Sequence, residues 1–271
     1  MEKEIIIPSA PKRGLDTFSC FGEPEPMGRA AILVKSLKLS GVLPKEEVLK
    51  NIEDKLNALK YITWNGIISS SAMKEAGNRN WQQIEWIDWY LEHWATENMS
   101  NVFSIHSHKD KTIVFDAFET HDWDFKTHSN FDSKGRKITG AILNDKRSID
   151  KSLEKYGQIG FVVLDGDPIF GDNFETWRKE TSGGESTVSI KNREKGRTSR
   201  KRKDSFKLTS AKLYIITKED AKNLFKNKGL TLFRQGKQND GTPRHLKYVL
   251  DMSRVAPSYV IELCSTEEFS H

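Results

Sequence analysis

The first part of the chain carries apolar residues at helical spacing, and the remainder alternates between strand-like runs and short amphipathic segments. Met27 to Leu39 has helical spacing. Pro44 opens a clearer helix, with acids in its first turn and Val48, Leu49, Ile52, Leu56 and Leu59 on one face. Tyr61 to Ala76 is rich in Gly and Ser and reads as a connection. Asn80 to Glu97 predicts the strongest helix, with Trp81, Ile84, Leu91 and Ala95 along one stripe.

A cluster of strands follows: Val102–His106, Thr112–Phe118 and Trp123–His128. Asp132-Ser-Lys-Gly135 reads as a turn. Ser148 to Tyr156 predicts a helix, Ile159–Leu164 a buried strand, and Asn173 to Glu180 a short helix. Ala211–Ile216 reads as a strand, followed by a helix through Phe225. Short strands are expected at Leu230–Arg234, Lys247–Met252 and Tyr259–Leu263. This order predicts an α/β fold with a central mixed β-sheet flanked by helices. It is expected to form a single domain over 1–271, with no internal repeat. Within it stand a helical part at 27–98, a sheet core at 102–217 and a strand-rich part at 228–264. The polar, basic stretch 182–207 reads as an arm inserted into that core.

Composition narrows the class. Of 271 residues, 36% are hydrophobic and 30% charged, which suits a globular protein with a sizeable core. A net charge of +5 gives a mild bias toward polyanions. The two cysteines, Cys20 and Cys264, are far apart, which argues against a disulfide scaffold or zinc ribbon and fits a reducing compartment. There is no apolar run long enough to span a membrane, and the apolar run of Met-Glu-Lys-Glu-Ile-Ile-Ile-Pro is too short for a signal peptide. A cytoplasmic location is therefore expected.

The chemistry concentrates in Thr112-Ile-Val-Phe-Asp116-Ala-Phe-Glu-Thr-His-Asp-Trp-Asp124-Phe-Lys126-Thr-His128. Side chains alternate along a strand, so Asp124 and Lys126 share a face. A hairpin folding back near Thr120 sets Asp116 almost opposite Asp124. Two carboxylates and one ammonium then converge, which suits Mg²⁺-dependent hydrolysis of a phosphodiester. The bland alternative is a solvated hairpin with surface charges. Against it, Asp124 and Lys126 stand among Phe115, Phe118, Trp123 and Phe125, where charge is expensive unless used.

The pattern Asp116…Asp124-Phe125-Lys126 resembles the PD-(D/E)xK nuclease motif, and its surroundings are most similar to type II restriction endonucleases. Phe115, not proline, precedes Asp116. The resemblance implies a restriction-endonuclease-like core. In it, Asp116, one oxygen of Asp124 and the carbonyl of Phe125 bind Mg²⁺, and Lys126 orients the attacking water. Nucleases of this class often take a further acid from a preceding helix, and Glu85 is the candidate here. A boundary glutamate on an amphipathic face is the alternative for Glu85. The implied partner is double-stranded DNA, cut by a homodimer, with possible functional pairing to a DNA methyltransferase.

Several other residues compete for a role. Lys191 to Lys203 holds eight basic residues and one acid in thirteen positions. Arg193, Lys195, Arg197, Arg200, Lys201, Arg202 and Lys203 are thus candidates for salt-sensitive DNA binding, unless the loop is simply solvated. Arg234 and Arg244 flank a Gln- and Asn-rich segment that could read base edges, or whose Asn-Asp-Gly core could simply make a hairpin turn. His106 and His108 share a strand face and invite a zinc reading, though no cysteine is available to join them. His128 shares parity with Lys126. Asp165-Gly-Asp167-Pro ends a buried strand and reads as a turn, or else as a rival metal site. The alternative functions are a repair or junction-resolving nuclease, a nucleic-acid-binding protein without catalysis, and a hydrolase built on Asp165 and Asp167.

Overall fold

The structure, a computed structural model, describes residues 36–106, 115–184, 190, 194–196, 201–234, 236 and 241–264. Residues 27–35 of the predicted helix at Met27–Leu39 lie outside the described residues, as do 112–114 of the predicted strand Thr112–Phe118 and much of the basic arm. Ser36–Leu39 are described and are not helical, Leu37 instead forming a β-bridge with Val255. The described residues belong to a unit spanning Lys35–His271.

Helix α1, Glu46–Asn57, begins with Glu46 and Glu47 at the positive end of its dipole and has Lys55 in its last turn. Its Ile52 and Leu56 are fully buried. The expected connection after it is instead strand β1, Thr63–Asn65, and helix α2, Gly66–Glu75. The Asn65 side chain caps α2, accepting from Ile67 N at 3.0 Å and Ile68 N at 3.2 Å. Gly66 serves close packing rather than a loop. A Cβ there would stand 2.9 Å from Trp86 Nε1 and from the Phe174 ring.

The predicted helix from Asn80 is broken in two. Asn78 caps a 3₁₀ turn at Arg79–Gln82, Gln83 is extended, and helix α3 starts only at Trp86 and runs to Asn98. Trp86 sets that start. It is fully buried, and its indole N–H donates to the Lys203 carbonyl at 2.8 Å. Glu85 therefore becomes the residue before the helix instead of lying a turn inside it.

Strands β2 (Ser104–Ile105), β3 (Ala117–Phe118) and β4 (Asp122–Ser129) follow, then the unforeseen β5 (Gly140–Asp145). Between β4 and β5, Asp132 Oδ1 accepts from Lys134 N and Arg136 N, and Gly135 takes φ +73°, as the predicted turn requires. The rest comprises α4 (Lys146–Tyr156), β6 (Gln158–Gly171), α5 (Asn173–Thr181), β7 (Arg202–Thr217), α6 (Lys218–Lys226), β8 (Leu230–Arg234), β9 (Leu246–Asp251) and β10 (Tyr259–Glu262).

Among the described residues the main sheet has the order β1-β7-β6-β4-β3-β2, with β10 beside β1 on the same edge of β7. β4 and β6 are parallel, and the other pairs are antiparallel, so the sheet is mixed as predicted. A smaller sheet, β5-β9-β8, uses the strand-rich C-terminal part. Both faces of the main sheet are covered. Val162, Leu213 and Phe125 meet Trp86 and Leu91 on one side. Phe161, Val163 and Tyr214 meet Leu143, Ile149 and Leu250 on the other. Each such fully buried large side chain contributes about 1.5–3 kcal/mol.

Two expectations change at this level. Asp165-Gly-Asp-Pro is no turn: β6 runs through it, and register shifts at Asp165/Gly166 and Ile169/Phe170 absorb the glycine and proline. The arm is shorter than 182–207, because 202–207 is the start of β7 and pairs with β6 and β1. No helix among the described residues is long and apolar enough to cross a membrane.

Candidate active site

The short β3 creates the site. Its ladder with β4 ends at Ala117↔Trp123, so beyond Trp123 this edge of β4 has no strand partner among the described residues. Its backbone donors still need acceptors, and carboxylates supply them. Asp116 Oδ2 accepts from Phe125 N at 2.8 Å. Asp88 Oδ1, from α3, accepts from Thr127 N at 3.3 Å and from the Thr127 hydroxyl. The N–H and C=O of one strand residue point to the same edge. The Phe125 carbonyl therefore faces the edge where Asp116 stands.

Trp123 anchors this strand. It is fully buried and pairs with Gly160, where any Cβ would come within 2.4 Å of the indole ring. Asp124 and Lys126 project together from the face that alternation predicts, with Lys126 Nζ 2.9 Å from Asp124 Oδ2. Asp124 is only 1% exposed, and neither of its oxygens accepts a well-formed hydrogen bond among the described residues. Burial pushes its carboxyl well above the usual range. Lys126 opposes that shift and Asp116 adds to it. Burial also works against the charge of Lys126, but Asp124, Asp116 and Glu92 outweigh it and hold the ammonium above its usual value.

Besides Asp88, α3 brings Glu92 to this cluster, and not Glu85. Burial raises the Glu92 carboxyl to about 9, with Asp116, Asp124 and Asp88 adding and Lys126 opposing. Glu85 is 65% exposed and faces Lys203 at 3.8 Å. Glu85 and Glu92 share a face on an ideal helix, so their spacing alone could not separate them. A second lysine also reaches the cluster from the small sheet. Lys247 on β9 is half-buried, and burial together with Lys126 lowers its pKa while Asp124 and Asp145 oppose the shift. No pattern in the sequence links Lys247 to the hairpin.

Acids thus outnumber cations in a largely buried cluster, and two of them favour the protonated form. Such a set suits a divalent cation. Among the described residues no three His, Cys, Asp or Glu side chains are grouped closely enough to hold an ion alone. Two carboxylates and a carbonyl fit Mg²⁺, which keeps several waters, better than an ion needing an all-protein cage.

The other predicted residues fall elsewhere. Asp165 is buried and engaged by His128 Nδ1 at 3.0 Å, Ser210 Oγ at 3.1 Å and Lys212 Nζ, and Asp167 accepts from Asn130 at 2.8 Å. His128 and Lys212 together hold the Asp165 carboxyl below its usual value despite burial, which opposes the shift. His106 donates its backbone N–H to the Asp116 carbonyl at 2.9 Å, while His108 lies outside the described residues. Arg193, Arg197 and Arg200 also lie outside them, and Lys195 is exposed. Lys201, Arg202 and Lys203 line a cavity of about 220 Å³ with Glu85 and Phe131. Arg234 and Arg244 line a separate one. The chain matches no protein-family model, no curated protein and no solved structure.

Proposed function

We propose that this protein is a Mg²⁺-dependent endonuclease that cuts double-stranded DNA at specific sites, in the manner of a type II restriction enzyme. The observation that carries the reading is the convergence of Asp116, Asp124 and Lys126 with Glu92 at the open edge of β4. Acids alone would suit many roles. An ammonium held charged between buried carboxylates suits phosphoryl chemistry, where a polyanionic substrate and a nucleophilic water must meet.

On this reading Asp116, Asp124 and the Phe125 carbonyl hold the metal. A Mg²⁺ ion held by these groups would supply the acidity that activates a water and the charge that offsets the phosphate. Lys126 orients the water and contacts the scissile phosphate; its compact charge on a flexible stem suits both tasks. Glu92, protonated at neutral pH without a metal, would give up its proton when a divalent cation binds beside it, and its carboxylate would then take the proton of the attacking water. Asp88 fixes Thr127 and so the direction in which Lys126 projects. Cutting both strands needs two such sites, which points to a two-fold homodimer on a palindromic or nearly palindromic sequence. Site specificity, the dimer and any paired methyltransferase rest on the motif resemblance.

The test is incubation of the pure protein with unmethylated phage DNA, in Mg²⁺ and in EDTA, beside Lys126→Ala. Discrete Mg²⁺-dependent fragments, absent with the variant, are expected. A salt-sensitive gel shift without cleavage would leave a binding protein and make the motif a coincidence.

A further inference from the structure

The small sheet carries a second charged feature that the reaction does not use. The ends of β5, α4, β8 and β9 enclose a cavity of about 620 Å³. Lys146, Arg147, Arg234, Arg244 and His245 line it. These residues come from segments about ninety positions apart in the chain, so only folding brings them together. Against them stand two carboxylates, Asp145 and Asp150. Both are engaged. Asp145 accepts from Ser148 N at 3.0 Å and from the Ser148 hydroxyl, and Asp150 takes Lys146 Nζ and the Tyr248 hydroxyl.

Arg147 and Arg234 differ from most paired arginines of this protein. Arg136, Arg202 and Arg254 each face a carboxylate. Arg147 and Arg234 are exposed and have no carboxylate partner among the described residues. Lys146 and Arg147 also occupy the first turn of α4, which contains no acid. The helix dipole disfavours cations there. Like charges gathered against one another, and against the dipole, are stabilised when an anion enters.

The cavity adjoins the candidate active site. Asp145, on its wall, pairs with Lys247 in the β5–β9 ladder. Lys247 in turn lies within electrostatic reach of Lys126 and Asp124. A polyanion crossing the catalytic cluster toward β9 therefore meets the basic cavity next.

We infer that this cavity binds internal backbone phosphates of the nucleic acid flanking the reactive one, through Arg147 and Arg234. The inference rests on the nuclease reading only for the identity of the polyanion. It assigns Arg234 to phosphate rather than to base edges. Binding here is thus independent of base sequence, and sequence readout falls to other residues.

The experiment is fluorescence anisotropy with a labelled duplex in EDTA, as a function of salt. It compares the full chain, Arg147→Ala/Arg234→Ala, and Lys50→Ala/Lys60→Ala. The last pair removes the same charge from exposed lysines in and just after α1, neither of which lines the cavity. Loss of two phosphate contacts lowers the slope of log K against log salt by about 1.8, at about 0.9 per phosphate. Affinity is expected to fall at least about tenfold, while the control pair stays near the parent. Closed circular DNA is expected to compete as well as linear DNA, because internal phosphates suffice. An unchanged slope in the arginine variant, equal losses in both variants, or failure of circular DNA to compete would overturn the inference. Binding in EDTA is measured apart from cleavage in Mg²⁺. Cavity-dependent binding without cleavage would remove the nuclease reading and leave the cavity. Cleavage with cavity-independent binding would do the reverse.

Discussion

Asp116 Oδ2 accepts the backbone N–H of Phe125 at 2.8 Å, joining the first acid of the hairpin to the residue between Asp124 and Lys126. The carboxylate replaces the strand partner that β3, whose ladder with β4 stops at Ala117↔Trp123, does not provide on this edge. Asp116 therefore has a structural task as well as the proposed chemical one. Asp116→Asn keeps an acceptor and is expected to retain stability within about 1 kcal/mol. Asp116→Ala strands a buried donor and is expected to cost about 1–3 kcal/mol. Both are expected to lower single-turnover cleavage, on the order of 10²–10³-fold. Urea denaturation and quenched-flow assays on the two variants separate the tasks; full activity in Asp116→Asn would remove this acid from the mechanism.

Glu92 gives a prediction about stability and pH in metal-free buffer. Its folded value of about 9 lies above its ordinary value of 4.5. Between these values the folded state binds more protons than the unfolded one, so stability falls as pH rises. The penalty is absent below the unfolded value and complete above about 9. Glu92→Gln is therefore expected to raise the melting temperature without Mg²⁺, by roughly 2–8 °C for about 1–2 kcal/mol near pH 7, with more gained toward pH 9. Mg²⁺ is expected to stabilise the parent more than the variant. Thermal melts across pH, with and without Mg²⁺, check this; a destabilised Glu92→Gln would mean that the carboxylate is needed for packing.

Asp220 behaves in the opposite sense. It closes a capping box with Thr217 at the start of α6 and also accepts from Ser40 N at 3.1 and 3.0 Å. Burial alone would raise its carboxyl, but the donors of Thr217 and Ser40 outweigh it and hold the value below the usual range. Its contribution is fully present above the unfolded carboxylate value and is lost as pH falls through the depressed folded one. Asp220→Asn is expected to cost about 0.5–2 kcal/mol at neutral pH. Melting curves of parent and variant are expected to converge in acid; a constant gap down to the lowest pH would contradict the assignment.

Asp165 tests the rival location for the chemistry. His128, Ser210 and Lys212 all engage it, and it is 3% exposed. Asp165→Ala leaves the partner charge of Lys212 uncompensated and is expected to cost about 3–5 kcal/mol. Chemical denaturation measures that loss. A variant as stable as the parent but inactive in cleavage would move the reaction to this strand end.

Local periodicity carried much of the architecture. The apolar stripe of α1, most of α4, and the strand runs of β4, β6 and β7 follow from short-range spacing. So does the sharing of one face by Asp124 and Lys126, because a strand repeats every two residues. The approach of Asp116 to the β4 edge needed only a tight hairpin. What folding alone decided involves residues distant in sequence. Glu85 and Glu92 are equivalent by helical phase. Burial of Trp86, with its indole bonded to the Lys203 carbonyl, starts α3 late and leaves Glu85 outside while Glu92 enters the cluster. Gly66 and Ser-rich α2 look like a loop until Trp86 and Phe174 close over them. Asp165 looks like a turn residue until β7 brings Ser210 and Lys212 alongside. Lys247 and the cations around Arg147 meet only when β9 pairs with β5 and β8. Spacing along the chain determines which face a side chain takes; only long-range packing, which must offset desolvation and chain entropy together, determines what that face meets.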